Sequence, residues 1–250
     1  MVDNLKADAT RQTFLRARKA YSQCAATVEA RISKEGLTPV LSERVIGIGV
    51  AADWVRRASE MEGIAYAGAK LTNSQRKASF VELLRYGFAW FGLNAIFSRP
   101  ALLDIIGTPT KAGSEFEQFR VLFQATPLAT AQDQTNVLHG ILAAPTAPRL
   151  ANKARGTMVP TLFAIDTKYI PAAAKKHAKA KLVSDAASMG SPETLDLATL
   201  LYTFRNWAVH GNALDGAFGS RPRFLTYVGT LLNALAEIHA HTAVTLQSKL

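Results

Sequence analysis

Residues 83–97 read LLRYGFAWFGLNAIF, and this stretch limits the possible folds more than any other part of the chain. At 3.6 residues per turn its apolar side chains point in every direction. Phe80, Leu84, Phe91 and Ala95 make one stripe, while Phe88, Trp90, Leu93, Ile96 and Phe97 cover the remaining directions. A helix apolar all round has to be enclosed. Its unbroken apolar part is about half of the ~20 residues a membrane span requires, so protein rather than lipid is expected to enclose it. The pattern predicts a helix over 74–98, opened by Thr72 or Ser74, stopped before Pro100, and central to a helical bundle. Asn94 lies beside the stripe, and an amide buried there needs a hydrogen-bond partner.

The remaining pattern is helical nearly throughout. An amphipathic helix is expected over 4–34, with Phe14, Tyr21, Cys24, Ala25, Val28 and Ile32 on its apolar positions and Gly36 and Pro39 ending it. A second is expected over 42–62 with Ser42 as N-cap, and others at 113–125 and 131–143. The proline-bearing stretch 145–172 reads as loop with a short extended piece at TLFAI, and PAAAKKHAKAKL as a basic helix. Ser191-Pro192 then opens a helix reaching about His210, where Gly211 is a natural terminator. The last helix starts near Arg221-Pro222. The expected whole, 1–250, is one all-α unit without a repeat.

Charge directs attention to partners. The net charge is +10, and between Arg149 and Lys181 eight cations face the single acid Asp166. Arg149, Lys153, Arg155, Lys175, Lys176, Lys179 and Lys181 are therefore the candidate contacts to a phosphate backbone. The block is not interleaved with exposed aromatics, which disfavours a membrane surface. The lone Cys24 excludes an internal disulfide, and the polar N-terminal stretch has no apolar signal region. A cytoplasmic protein without a cofactor or a metal is the expectation.

The stretch RNWAVHG, 205–211, holds the candidate chemistry. On the helix before it, Leu197, Leu200, Leu201, Phe204 and Ala208 cluster as a core face. Tyr202, Asn206 and His210 form a column at i, i+4 and i+8 on the other side, with Arg205 on its flank. Cations also suit any helix C-terminus, because they meet the negative end of its dipole. The arrangement nevertheless places an imidazole, an amide and a guanidinium on one exposed surface.

R-N-x-x-x-H near the end of a late helix resembles the R-x4–6-H motif of the HEPN superfamily, in which a polar residue commonly follows the arginine, as Asn206 does here. The aromatic helix ending in Asn94-Ala95 is similar to one that several HEPN families carry. The resemblance covers 74–98 and 191–247; it leaves 1–70 as an N-terminal helical extension and 108–190 as a basic insertion. It implies an HEPN-like bundle that dimerises so that two motifs face each other, and a metal-independent endoribonuclease of the defence or toxin type. In that reading Arg205 holds the scissile phosphate, His210 transfers protons, and Asn206 and Tyr202 support them. RNA, a second copy of the chain, and an antitoxin or sensor protein are the implied partners. A non-catalytic HEPN-like dimer that holds nucleic acid or a protein partner is the alternative.

Two further patterns carry less. Gly47, Gly49 and Ala52 satisfy G-x-G-x-x-A, but no strand signal precedes them, so close helix packing is the expected reason for the glycines. His239 and His241 stand two apart on a helix, point to different faces, and are expected at the surface or rim.

Overall fold

The computed structural model describes residues 2–62, 74–107, 114–129, 197–198, 201–202, 204–205 and 221–250. Among these residues there is no strand, and the protein is all-α. The expected helix at 131–143, the loop with its extended piece, the basic helix and the Ser191-Pro192 start lie outside the described residues.

Helix α1 spans Val2–Glu35 and buries Phe14, Ala17, Tyr21, Cys24 and Val28, alternately three and four residues apart along one face. It ends because Gly36 takes φ +87°, a left-handed conformation that costs glycine nothing, while its amide donates to Ile32 O at 2.9 Å. Helix α2, Pro39–Glu60, begins three residues earlier than the sequence reading placed it. Thr38 rather than Ser42 is the N-cap: its Oγ1 accepts from the Leu41 amide at 3.2 Å, and Pro39 takes the first helical position, where its missing N–H costs nothing. Ser42 already donates its own amide to Thr38 O.

Helix α3 spans Ser74–Phe97. Its deeply buried residues are Tyr86, Ala89, Trp90, Leu93, Ala95, Ile96 and Phe97, whereas Phe80, Leu84 and Phe91 of the expected stripe are only half-buried. A helix apolar on all sides does not announce which side goes deepest; its neighbours decide. Pro100 both stops α3 and opens a short helix, α4 (Pro100–Ile106), which the sequence reading left unassigned. Helix α5, Glu115–Gln124, carries a complete capping box: Ser114 Oγ accepts from the Glu117 amide and Glu117 accepts from the Ser114 amide. A 3-10 turn follows at Pro127–Ala129, and α6 spans Arg221–Lys249.

The chain divides into two compact units: one holds 1–61, 85–129 and 232–250, the other 62–84 and 130–231. In the first, α1 and α2 meet at the three-residue link 36–38 and run antiparallel, tied by Arg18 to Glu60 at 2.9 Å. The C-terminal part of α6 runs parallel to α1, as the near-constant sequence separation of their contacts requires. Thr10 bonds Asn233, Tyr21 bonds His239, Cys24 contacts Ala243 O, and Gln23 bonds Gln247. Helix α3 crosses α2 antiparallel, with Arg85 Nε donating to Ala58 O at 2.7 Å and Trp54 against Phe88 and Phe91. Gly47 makes the closest approach possible. A methyl group there would meet Leu102 Cδ1, Arg99 Cδ and Ala95 O at 2.5, 2.7 and 2.9 Å, so the packing reason for this glycine holds. Gly49 has open space around it and does not share that reason. Helix α5 closes an aromatic cluster, Phe119 lying 4.5 Å from Trp90 and 5.9 Å from Phe97 between ring centroids.

In the second unit, the described residues Leu197, Ala198, Leu201 and Phe204 are helical and buried, and so are Val228 and Leu231 on α6.

Candidate functional site

The described residues leading into the candidate motif are helical, and those of them on the predicted core face are buried. Leu197, Leu201 and Phe204, at i, i+4 and i+7, are buried to within 2%. Leu200 and Ala208 of the same expected face lie outside the described residues. Tyr202 and Arg205 are half-buried. They stand three apart, so they are neighbours on the helix surface. The Arg205 guanidinium carbon lies 5.7 Å from the Tyr202 ring centroid, within cation–π range. Arg205, read from the sequence as a flanking residue, therefore leans onto the first member of the column. A guanidinium resting on a phenol ring is held in orientation by an apolar support that competes little for its hydrogen-bond donors.

Asn206 and His210 lie outside the described residues, as do Arg149, Lys153, Arg155, Lys175, Lys176, Lys179 and Lys181. The geometry accordingly brings Arg205 and Tyr202 together and says nothing of the remaining nine.

The described residue that the sequence reading misplaced is His239. It is fully buried in the first unit, not at a rim. Its Nε2 lies 2.8 Å from Ala89 O, an atom that only accepts, so Nε2 carries the proton and donates. Nδ1 is then the acceptor for the Tyr21 hydroxyl at 3.1 Å. Phe14 and Tyr21 pack edge-on to the ring, and Gly92 leaves the space its edge occupies. Burial drives the imidazole pKa down to about 4, against a smaller opposing effect from the Ala89 hydrogen bond. Burial likewise pushes the Tyr21 hydroxyl well above its ordinary value, with Cys24 adding to it, and raises the Cys24 thiol to about 11. The set is neutral, satisfied and closed. It holds α1, α3 and α6 together, and Cys24 stays a protonated thiol unsuited to nucleophilic attack.

Asn94 finds the partner its position demands: its Nδ2 donates to Glu115 Oε1 at 3.1 Å, joining α3 to α5. It also borders an open cleft of about 370 Å³ lined by Val50, Trp54, Phe91, Ala95, Ser98 and Arg99. The Arg57 guanidinium covers Trp54 at 5.1 Å, and Arg99 Nη1 donates to Ala95 O. The i, i+4 pair Val50 and Trp54 was visible in the sequence. That it would meet Phe91 was not, because that depends on how α2 crosses α3.

No helix among the described residues is long and apolar enough to cross a membrane, and no group of three or more His, Cys, Asp or Glu among them could hold a metal ion. Family models, curated proteins and solved structures offer no match to the chain.

Proposed function

We propose that the chain is an endoribonuclease of the HEPN type, cleaving RNA at Arg205, Asn206 and His210 with support from Tyr202. The observation that supports this reading most is the posture of Arg205. It stands half-buried at the edge of the buried Leu197, Leu201 and Phe204 face, and its guanidinium is supported by the Tyr202 ring. A planar, permanently charged fork of this kind matches two phosphate oxygens and stabilises the charge that builds on them in the transition state.

The chemistry asks little more of the protein. The 2′-OH of the RNA attacks the adjacent phosphorus, the bond to the 5′-oxygen breaks, and a 2′,3′-cyclic phosphate and a 5′-OH result. One proton leaves the nucleophile and one reaches the leaving oxygen. An imidazole titrating near neutral pH serves either transfer, and His210 is the candidate. Each motif carries one histidine, so two-histidine catalysis pairs the column Tyr202/Asn206/His210 of one protomer with that of a second. The basic stretch 149–181 supplies phosphate contacts remote from the cut.

Incubating the purified protein with total RNA in EDTA tests the reading, with Arg205→Ala and His210→Ala beside it. The wild type is expected to cut, leaving 2′,3′-cyclic phosphate ends, and both variants to lose at least about a hundredfold in rate. Cutting that survives both substitutions, or that requires added Mg²⁺, would overturn it.

A further inference from the structure

Along α2 the residues Glu43, Ile46, Val50, Asp53, Trp54 and Arg57 fall within about 100° of arc, opposite the buried face Leu41, Ile48, Ala51, Val55 and Ala58. The centre of this outer face is apolar and open: Ile46 is 51% and Val50 36% exposed, and the cleft at Val50, Trp54 and Phe91 adjoins them. Its two ends carry opposite charges. We propose that this face is a self-association surface on which α2 packs antiparallel against α2 of a second copy, about a two-fold axis at Val50.

The register follows from the sequence of the helix. Val50 sits at the middle of Pro39–Glu60, so an axis there overlaps the helix with its copy along nearly all of its ~33 Å length. Such an axis sets each residue opposite the one equally far on the other side. Ile46 and Trp54 are each four residues from Val50, so the exposed Ile46 of one copy faces the cleft beside Trp54 of the other. Glu43 and Arg57 are each seven residues from Val50, so a carboxylate faces a guanidinium at both ends of the seam. One register therefore satisfies the apolar centre and both charges. A parallel pairing would set Glu43 against Glu43 and Arg57 against Arg57.

The groups are available for this. Arg57 gives its Nε to Asp53 at 2.8 Å and lies over the Trp54 ring, and its two terminal nitrogens are directed to no described acceptor. Glu43 receives only the Ala101 amide, at one oxygen and at 3.3 Å. Asp53, on the edge of the face, is already compensated by Arg56 and Arg57, so covering it does not strand a charge. Rim charges of this kind fix register and exclude wrong pairings more than they add affinity. The affinity comes from Ile46, Val50 and the cleft.

This surface lies on the first unit, and the inference does not rest on the ribonuclease reading, whose paired motifs lie on the other. Sedimentation velocity over a dilution series measures the association directly. The wild type is expected to show concentration-dependent self-association, and Val50→Glu to weaken the α2 contact on the order of a hundredfold by placing like charges at the axis. Glu43→Arg and Arg57→Glu alone are each expected to weaken it on the order of tenfold. Mixing those two variants is the decisive arm. Every cross-pair becomes attractive in the mixed dimer, so native mass spectrometry should find heterodimer well beyond the statistical half. The three substituted side chains of α2 are exposed, and circular dichroism of each variant checks that the helices remain. A monomeric wild type, or a mixture no richer in heterodimer than chance, overturns the proposal. So does a Val50→Glu dimer of undiminished affinity, with Tyr202→Glu instead abolishing association; that result would leave the ribonuclease reading standing. RNA cutting in EDTA is a separate readout, and its absence would leave the α2 seam untouched.

Discussion

His239 and Arg205 are both cationic-type side chains beside a tyrosine, and they have opposite circumstances. His239 is wholly enclosed, with a partner on each ring nitrogen and Tyr21 as one of them. Arg205 is half-exposed, with its guanidinium resting on the Tyr202 ring. Enclosure with both nitrogens satisfied keeps an imidazole neutral and fixed, which suits it to joining three helices and unsuits it to moving protons. Partial exposure on a supported, permanently charged group leaves it able to meet an anion. A polar residue's role follows from how far the fold encloses it.

Emptying the closed site should have the largest effect. His239→Ala leaves a cavity and strips partners from the Tyr21 hydroxyl and Ala89 O, for an expected loss of about 3–5 kcal/mol in urea denaturation. Arg205→Ala, at a half-buried position with a cation–π contact, should cost less, about 1 kcal/mol. Equal losses for the two variants would erase the contrast.

Acid should reach the closed site next. The folded pKa of His239 is depressed to about 4 from an ordinary 6.5, so the unfolded chain takes up its proton first. The stability that the neutral ring contributes is complete above about pH 6.5 and is lost as the pH falls through 4, amounting to about 3 kcal/mol. Denaturation midpoints measured from pH 7 to 4 should fall accordingly. A flat profile over that window would mean that the ring is not held neutral.

The smallest effects distinguish two glycines on one helix. A methyl at Gly92 would stand 2.9 Å from His239 Cε1 and 3.3 Å from Nε2, so Gly92→Ala should cost about 1–3 kcal/mol by crowding the ring. Gly87 has nothing within 4 Å of that position, and Gly87→Ala should stabilise by about 0.5–1 kcal/mol through helix propensity alone. Thermal midpoints moving in opposite directions would place the closed site where the geometry has it.

Much of the architecture could be read locally, because its signals are local. The Gly36 stop, the Ser114–Glu117 box, the span of α3 and the Leu197, Leu201, Phe204 face all depend on residues within a few positions of one another. The start of α2 was missed by three residues because Thr38-Pro39 and Ser42 are both legitimate openings, and the chain uses the first. Helix α4 was missed because seven residues hold too little periodicity to announce a helix. At the candidate site the lean of Arg205 onto the Tyr202 ring is a rotamer choice that spacing does not specify.

The sequence by itself determined that the described chain would be helical, where most of those helices begin and end, and which narrow faces would be buried, since capping and 3.6-residue periodicity act within a single turn or two. Tertiary structure alone decided the depth of each face of α3, the partnership of Tyr21 with a histidine 218 positions away, and the meeting of Trp54 with Phe91. Those depend on how helices cross. A crossing is set by the summed shape of many side chains from distant segments, and no short stretch of sequence contains that sum.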